Sequence, residues 1–539
     1  MTSTPRSFLA IDIGAATTSV AALGRVRGTW RLIGSVAMPG GGDPGLAVAV
    51  LLRRIRAADP ELAGHLGLAG IGEPDPDDVP RLAVRSRRPP RLAVVAGSEH
   101  TLAALTETAA RSGWRTITAS VATTDPLAMS TLLLEPGVDA ILAGAADPPR
   151  PDERTALREL ATLVAAVAGR RPELPIILAG GMAEGLSVFG DVGARPGEVL
   201  LAPGSVAGTD ADDGPLGGLL LEMALPADDP RRAIGPATQA LADVLERRIE
   251  TIVLGHDASV RAFASPSAGG VEAHARVAVV PEAAVAPEDP DDAVVDGVIG
   301  WSTVATDRHR LRDRMRELRI APWADAAGEG AALRMAAARA ALGRLAARTE
   351  GRDATLAPDL VLTSGGVWTA VPAPTVALAL VDVVRRPGAS QFALDHARLL
   401  GPLGAIPDAD ERRTIFRDIA DDLLAPLGSI VTPAGLRAGR SAGRLVVHAG
   451  ETSTTLDLVP GGLELVDLAP GDTAIAEFTF RDTVRLGARG RHFAVDVAGG
   501  LAGLLVDLRD VPLRLPDRAD RRRDLLAAWQ AALWAGADG

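Results

Sequence analysis

Two apolar strand-like runs, residues 8–13 and 251–254, each open a stretch in which strand and helix patterns alternate. That repeated alternation confines the chain to an α/β fold built in two successive halves. In the first half, residues 8–13, 18–23 and 30–37 read as strands, with Gly14 and residues 24–28 as turns. A helix over 45–58 follows, its apolar face formed by Leu46, Val48, Leu51, Leu52 and Ile55. Residues 91–96, 138–144 and 175–180 read as buried parallel strands, separated by helices such as 153–167.

Pro- and Gly-containing stretches at 203–218 and 226–236 interrupt the pattern before a short helix over 240–248, which places a boundary near 250. In the second half an acidic, Pro-rich stretch at 281–292 reads as a surface insertion. Residues 308–319 form an Arg-dense helix with a solvated face, and 329–348 an Ala-rich helix. A strand over 360–363 runs straight into Ser364, Gly365 and Gly366. Beyond about 440 the short segments 445–448, 454–459, 475–480 and 493–497 give a β-rich unit closed by a helix over 520–534, on which Leu526, Trp529 and Leu533 form a docking stripe. The expected division is 1–249, 250–437 and 438–539.

Composition narrows the chemistry. Cysteine is absent among the 539 residues, which removes disulfides, thiolate nucleophiles and iron–sulfur clusters. Lysine, tyrosine and asparagine are absent too, so every one of the 56 basic residues is arginine, and neither a P-loop lysine nor a Schiff base can form. Against 68 acidic residues the net charge is −12, which speaks against a general nucleic-acid binder. With no signal-peptide core and no long apolar run, the expectation is a cytoplasmic protein without a membrane partner. The eight histidines are scattered without metal-ligand spacing. Gly439 to Gly443 match a Ser-hydrolase elbow in letters only, because a strand follows where a helix is needed.

The richest local pattern lies at the first strand. An apolar run delivers Asp12, Gly14 turns the chain, and Ala15, Ala16, Thr17 and Thr18 lead into a second strand. Such a hairpin can aim backbone N–H groups and hydroxyls at phosphate oxygens while the acid holds hydrated Mg²⁺; an ordinary hairpin with a polar turn fits as well. At Ser364, Gly365 and Gly366 the missing side chains would let backbone approach a purine and ribose, or mark a plain strand-to-helix turn. In the actin-like ATPase superfamily, which the first hairpin resembles, a second phosphate loop opens the second half; residues 252–260 stand where that resemblance implies it, but Gly255 occupies the acid's place, leaving Asp257 and Ser259 as substitutes. Asp496 to Gly500 carry a similar local pattern in the wrong chain order.

Asp12, Gly14 and Thr18 resemble the first phosphate loop of the actin-like ATPase superfamily, in which many members carry a further basic or polar group where this chain has Ser19. Across the middle, residues 328–339, 364–368 and the stretch holding Pro374, Leu378, Val381, Asp382, Asp395, Leu399, Leu400, Gly404 and Ala405 resemble the glutamate mutase L family, as do residues 140–147. The resemblance implies a two-lobed actin-like (ribonuclease H-like) ATPase fold with a C-terminal β-rich extension. It implies ATP or ADP with Mg²⁺ as cofactors, and an accessory or reactivating role toward a coenzyme-B12-dependent mutase. Asp12, Gly14, Ala15, Thr17 and Thr18 would then take phosphate and, at Asp12, Mg²⁺ through water; Asp257 and Ser259 would face them, and Ser364, Gly365 and Gly366 would lie against adenosine. A non-hydrolysing scaffold and a small-molecule kinase with Asp147 as base are the alternatives, and a weak ATPase activity is compatible with the first.

Overall fold

The computed structural model describes residues 6–41, 43–68, 79–147, 153–182, 187, 198–202, 214–268, 273–323, 328–349, 358–437 and 441–533. Strand Ser7–Ile13 pairs antiparallel with Thr17–Val26, which pairs antiparallel with Thr29–Pro39. On its other side Ser7–Ile13 takes Arg81–Arg85 in parallel. The two central strands, Ser7–Ile13 and Thr17–Val26, are buried along most of their length, whereas Thr29–Pro39 and Arg81–Arg85 are largely half-buried or exposed. One face buries Leu9, Ile11 and Val20 against Val48, Leu51, Leu52 and Ile55 of helix Gly45–Ala58. Each such fully buried aliphatic side chain adds about 1.5–3 kcal/mol, so the hairpin that carries Asp12 is anchored from behind.

The same motif recurs in the second half. Ile249–Leu254 pairs antiparallel with Ser259–Ala264 and parallel with Leu360–Ser364, beside which Gly388–Asp395 lies parallel. Leu424–Thr432, Leu504–Asp507 and Leu463–Val466 extend this sheet in that order. A hairpin whose first strand accepts a later parallel strand thus occurs twice, as expected of the two-lobed actin-like arrangement, and the fold is mixed α/β. Gly443–Ala449, Thr452–Leu458, Thr473–Leu486 and Ala488–Ala498 form a further antiparallel sheet. The closing helix Ala519–Ala532 buries Leu526 and Trp529, and Leu533 just beyond it is buried too; the Trp529 indole donates to Gly461 O at 3.2 Å.

The described residues fall into two compact units: Met1–Ser86, Ala227–Ala275 and Ala283–Gly539 make one, Arg87–Pro226 with Arg276–Glu282 the other. The second unit holds strands Arg91–Ala96, Arg115–Ser120, Ala140–Ala145, Ile176–Gly180 and Val199–Ala202, all parallel. Arg115–Ser120 lies outside Arg91–Ala96, and the other three follow on the opposite side, the strand order of a doubly wound sheet. Apart from Arg91 at the start of the first, its central strands are apolar throughout because both faces are covered.

Two expectations change. The helix expected over 240–248 runs instead over Pro230–Leu245. Asp229 caps it by accepting from Arg231 N, and Pro230 at the first helical position needs no N–H partner, so a proline that reads as an interruption is a helix start. The stretch 281–292 is no surface insertion over its first part: Ala283, Ala284, Val285 and Ala286 are buried, and Val285 N–H donates to Gly255 O at 2.9 Å. Among the described residues no helix is long and apolar enough to cross a membrane.

Candidate functional site

The first hairpin is shaped by its backbone. Ile13 and Thr18 face each other as its last paired residues, and Gly14 N–H donates to Thr17 O at 2.8 Å across the turn. A Cβ on Gly14 would stand 2.9 Å from that same oxygen, so the turn takes glycine. Thr18 Oγ1 donates to Gly40 O at 2.7 Å and holds the loop from outside. Its hydroxyl therefore braces the turn, while Thr17 reaches the cavity in front of it.

The second hairpin corrects the sequence alignment by register. Leu254 faces Ser259 as Ile13 faces Thr18, which makes Gly255 the counterpart of Gly14 and Val253 the counterpart of Asp12. Gly255 serves the turn, where a Cβ would lie 2.4 Å from Ala258 O, and the residue in the acid's place is valine. Ser259 Oγ donates to Ala283 O at 2.6 Å and is buried, so it braces this turn as Thr18 braces the other. Asp257 lines the cavity but is ion-paired with Arg319 at 2.7 Å. His256, buried beside it, has its pKa pushed down to about 4, first by burial and then by the Arg319 charge, and is neutral at pH 7.

Gly365 and Gly366 bring the end of strand Leu360–Ser364 against both hairpins. Gly365 has φ +126°, and a Cβ there would meet Leu254 O at 2.2 Å; one on Gly366 would meet Thr17 Oγ1 at 2.5 Å. Ser364 Oγ donates to Asp395 at 2.9 Å, and Asp395 also accepts from the N–H groups of Leu399 and Leu400 at 3.0 and 3.1 Å. Burial raises the Asp395 pKa against these three donors.

These elements line a cavity of about 70 Å³ that is partly open to solvent. Asp12, Gly14, Ala15, Thr17, Asp257, Ser364, Gly365 and Gly366 all line it, as do Ser86, Arg231, His256 and Arg398, which sequence reasoning missed. Thr18 and Ser259 do not line it, and Asp147 belongs to the other compact unit, exposed after strand Ala140–Ala145. Asp12 Oδ1 is buried without a hydrogen-bond partner. Its pKa is raised to about 6, chiefly by burial; the Arg398 charge opposes the rise, and Asp395 and Asp229 add to it.

A buried carboxylate oxygen without a partner, framed by glycine turns, fits hydrated Mg²⁺ carrying a phosphoryl group. Asp12 would hold the metal through water, with Gly14, Thr17, Gly365 and Gly366 around the phosphoryl oxygens; when bound, the ion would neutralise phosphate charge. Among the described residues no three His, Cys, Asp or Glu side chains gather as a metal cluster, so a metal would lean on Asp12 and on the ligand's own oxygens. The space takes a phosphoryl group, and is well below the roughly 300 Å³ at which pockets begin to engulf whole organic ligands.

No protein-family model matches the sequence, and no curated protein matches it. Among solved structures, a nucleotide-free acetone carboxylase, described in a study of ATP-dependent acetone carboxylation, aligns at 11% identity and TM-score 0.29 over 84% of this chain and 80% of that one. The Aquifex aeolicus Ppx/GppA phosphatase in its type II variant aligns at 10% identity and TM-score 0.19, over 76% of this chain and 90% of that one. At such scores the likeness carries no argument about ligand or activity; the fold assignment rests on the repeated strand order described above.

Proposed function

We propose that this chain binds a magnesium nucleotide by its phosphate end and acts by binding rather than turnover, as an accessory protein of the glutamate mutase L kind for a coenzyme-B12-dependent mutase. The observation that carries the nucleotide reading is the unpartnered Asp12 Oδ1 inside a glycine-walled cavity. Val253 in the position that corresponds to Asp12 favours binding without hydrolysis, because the carboxylate that the second turn does bring to the cavity, Asp257, is held in an ion pair with Arg319 rather than free to orient an attacking water. The accessory role rests on the resemblance over residues 328–405, and its physical basis is population shift. Nucleotide seated at the cavity by its phosphate end would favour one state of the chain, and a partner that discriminates between the bound and free states reads that change.

Calorimetric titration with ADP and ATP, with and without Mg²⁺, tests the reading. The expected result is Mg²⁺-dependent binding that Asp12→Ala abolishes, with no phosphate released from ATP by the chain alone. Absence of binding at millimolar nucleotide would remove the proposal. Binding with steady turnover would remove its non-hydrolysing part.

A further inference from the structure

The same cavity contains a second buried group without a full set of partners. Arg398 is only 6% exposed, its Nη1 donates to Thr17 Oγ1, and its Nη2 is buried with no acceptor. No carboxylate lies within ion-pair distance of it among the described residues, although the Asp12 and Asp395 charges act on it from farther off. A buried guanidinium donor without an acceptor is costly, and the backbone around Arg398 is held firmly in place. Arg398 has φ +55°, in the left-handed region, and is fixed by the Asp395 carboxylate, which binds the next two backbone N–H groups. Gly366 leaves room for it, since a Cβ there would lie 3.2 Å from Arg398 Nη1.

A carboxylate oxygen lacking a cation and a guanidinium nitrogen lacking an anion thus share one cavity. We propose that Arg398 is the phosphate-gripping residue of this site, supplying from the second half of the chain the positive charge that the first hairpin lacks at Ser19. The proposal deepens the nucleotide reading and rests on it. The ligand class is a magnesium-bound phosphoryl terminus: its oxygens would accept from Arg398 Nη2 while the metal answers Asp12. A chain without lysine can fill this role only with arginine, whose planar fork can donate to Thr17 and to phosphate at once.

The test is titration of the full chain with Mg-ADP, Mg-pyrophosphate and adenosine, comparing wild type, Arg398→Gln, Arg398→Lys, Arg398→Met and Thr17→Val. Loss of one charge-assisted contact predicts Mg-ADP and Mg-pyrophosphate affinities about 10- to 100-fold weaker in Arg398→Gln, with partial recovery in Arg398→Lys and adenosine affinity unchanged. Arg398→Met, which keeps the apolar stem without the charge and is expected to show the same loss, keeps the proposal testable should Arg398→Gln fail to fold, while Thr17→Val, which also removes a hydroxyl that lines the cavity, reports the turn's own contribution. Equal or tighter Mg-ADP binding in a folded Arg398→Gln or Arg398→Met overturns the proposal and leaves the nucleotide reading intact. A wild type that binds none of the three ligands overturns both.

Discussion

At Asp12 the surroundings work against the charge on which the proposed function depends. Burial raises its pKa from 3.8 to about 6, so the folded chain holds that proton more tightly than the unfolded chain does. The stability this provides is complete below about pH 3.8 and is lost as pH rises through about 6, at which point the folded state carries a penalty of about 3 kcal/mol. Asp12→Asn is therefore expected to be up to about 3 kcal/mol more stable than wild type at pH 7, with the difference vanishing near pH 4, while losing Mg²⁺-dependent binding. Urea unfolding of both proteins at several pH values checks this, and because the comparison is between proteins, the opposite acid-side trend from neutral His256 cancels; a difference that does not change with pH would refute burial as its origin. Gly365→Ala is predicted to destabilise by about 2–4 kcal/mol, since its Cβ would meet backbone oxygen at 2.2 Å under a positive φ. Asp12, Gly14 and the Gly365–Gly366 pair were legible in sequence because each is defined by its immediate neighbours. Arg398 was not: it is one arginine among 56 and meets Thr17 from 381 positions away.

Among the elements, helix Ala409–Leu423 shows how the two halves are tied. Strand Thr29–Pro39 is a sheet edge, and its free N–H groups at Trp30 and Leu32 donate to Asp418 at 3.0 Å and Asp422 at 3.2 Å on that helix. Arg31 adds a forked pair with Asp422 but is half exposed. Asp418→Ala should cost about 1–3 kcal/mol by leaving a buried N–H without an acceptor, whereas Arg31→Ala should cost under about 1 kcal/mol. Denaturant midpoints of the two variants decide it, and the reverse ranking would mean that the ion pair, not the capped edge, carries the tie. Strands and long helices were largely legible because their periodicity is local: residues 45–58 and 360–363 recur almost unchanged in the structure. Turn chemistry misled where one residue type has two meanings, as at Pro230, and where burial is decided by distant packing, as at residues 283–286. The place of the second acid needed register: Gly255 aligns with Gly14 only once Leu254 and Ser259 are seen to pair.

For the molecule as a whole, the consequence lies in having two compact units of different construction. The parallel sheet over residues 87–226 has its own core, with Val95, Ile141, Leu160, Val164 and Leu178 buried, and the cavity residues all belong to the other unit. Nothing in the local pattern of strands 91–96 and 140–145 separates them from the first actin-like half, because a parallel strand covered on both faces reads the same in either sheet. Two cores predict two thermal transitions rather than one. A ligand that binds only native chain adds about 2.7 kcal/mol at about 100 times its Kd to whichever unit holds its site, and the proposed site makes Mg-ADP that ligand. Scanning calorimetry should therefore show one transition moving upward with Mg-ADP and the other staying in place, and Asp12→Ala should hold both still. If a single transition moves as a whole, the units unfold together and ligand energy reaches residues 87–226. If the transition that moves belongs to residues 87–226, as followed by hydrogen exchange of strands Arg91–Ala96 and Ala140–Ala145, the nucleotide is bound there and the cavity at Asp12 is not its site.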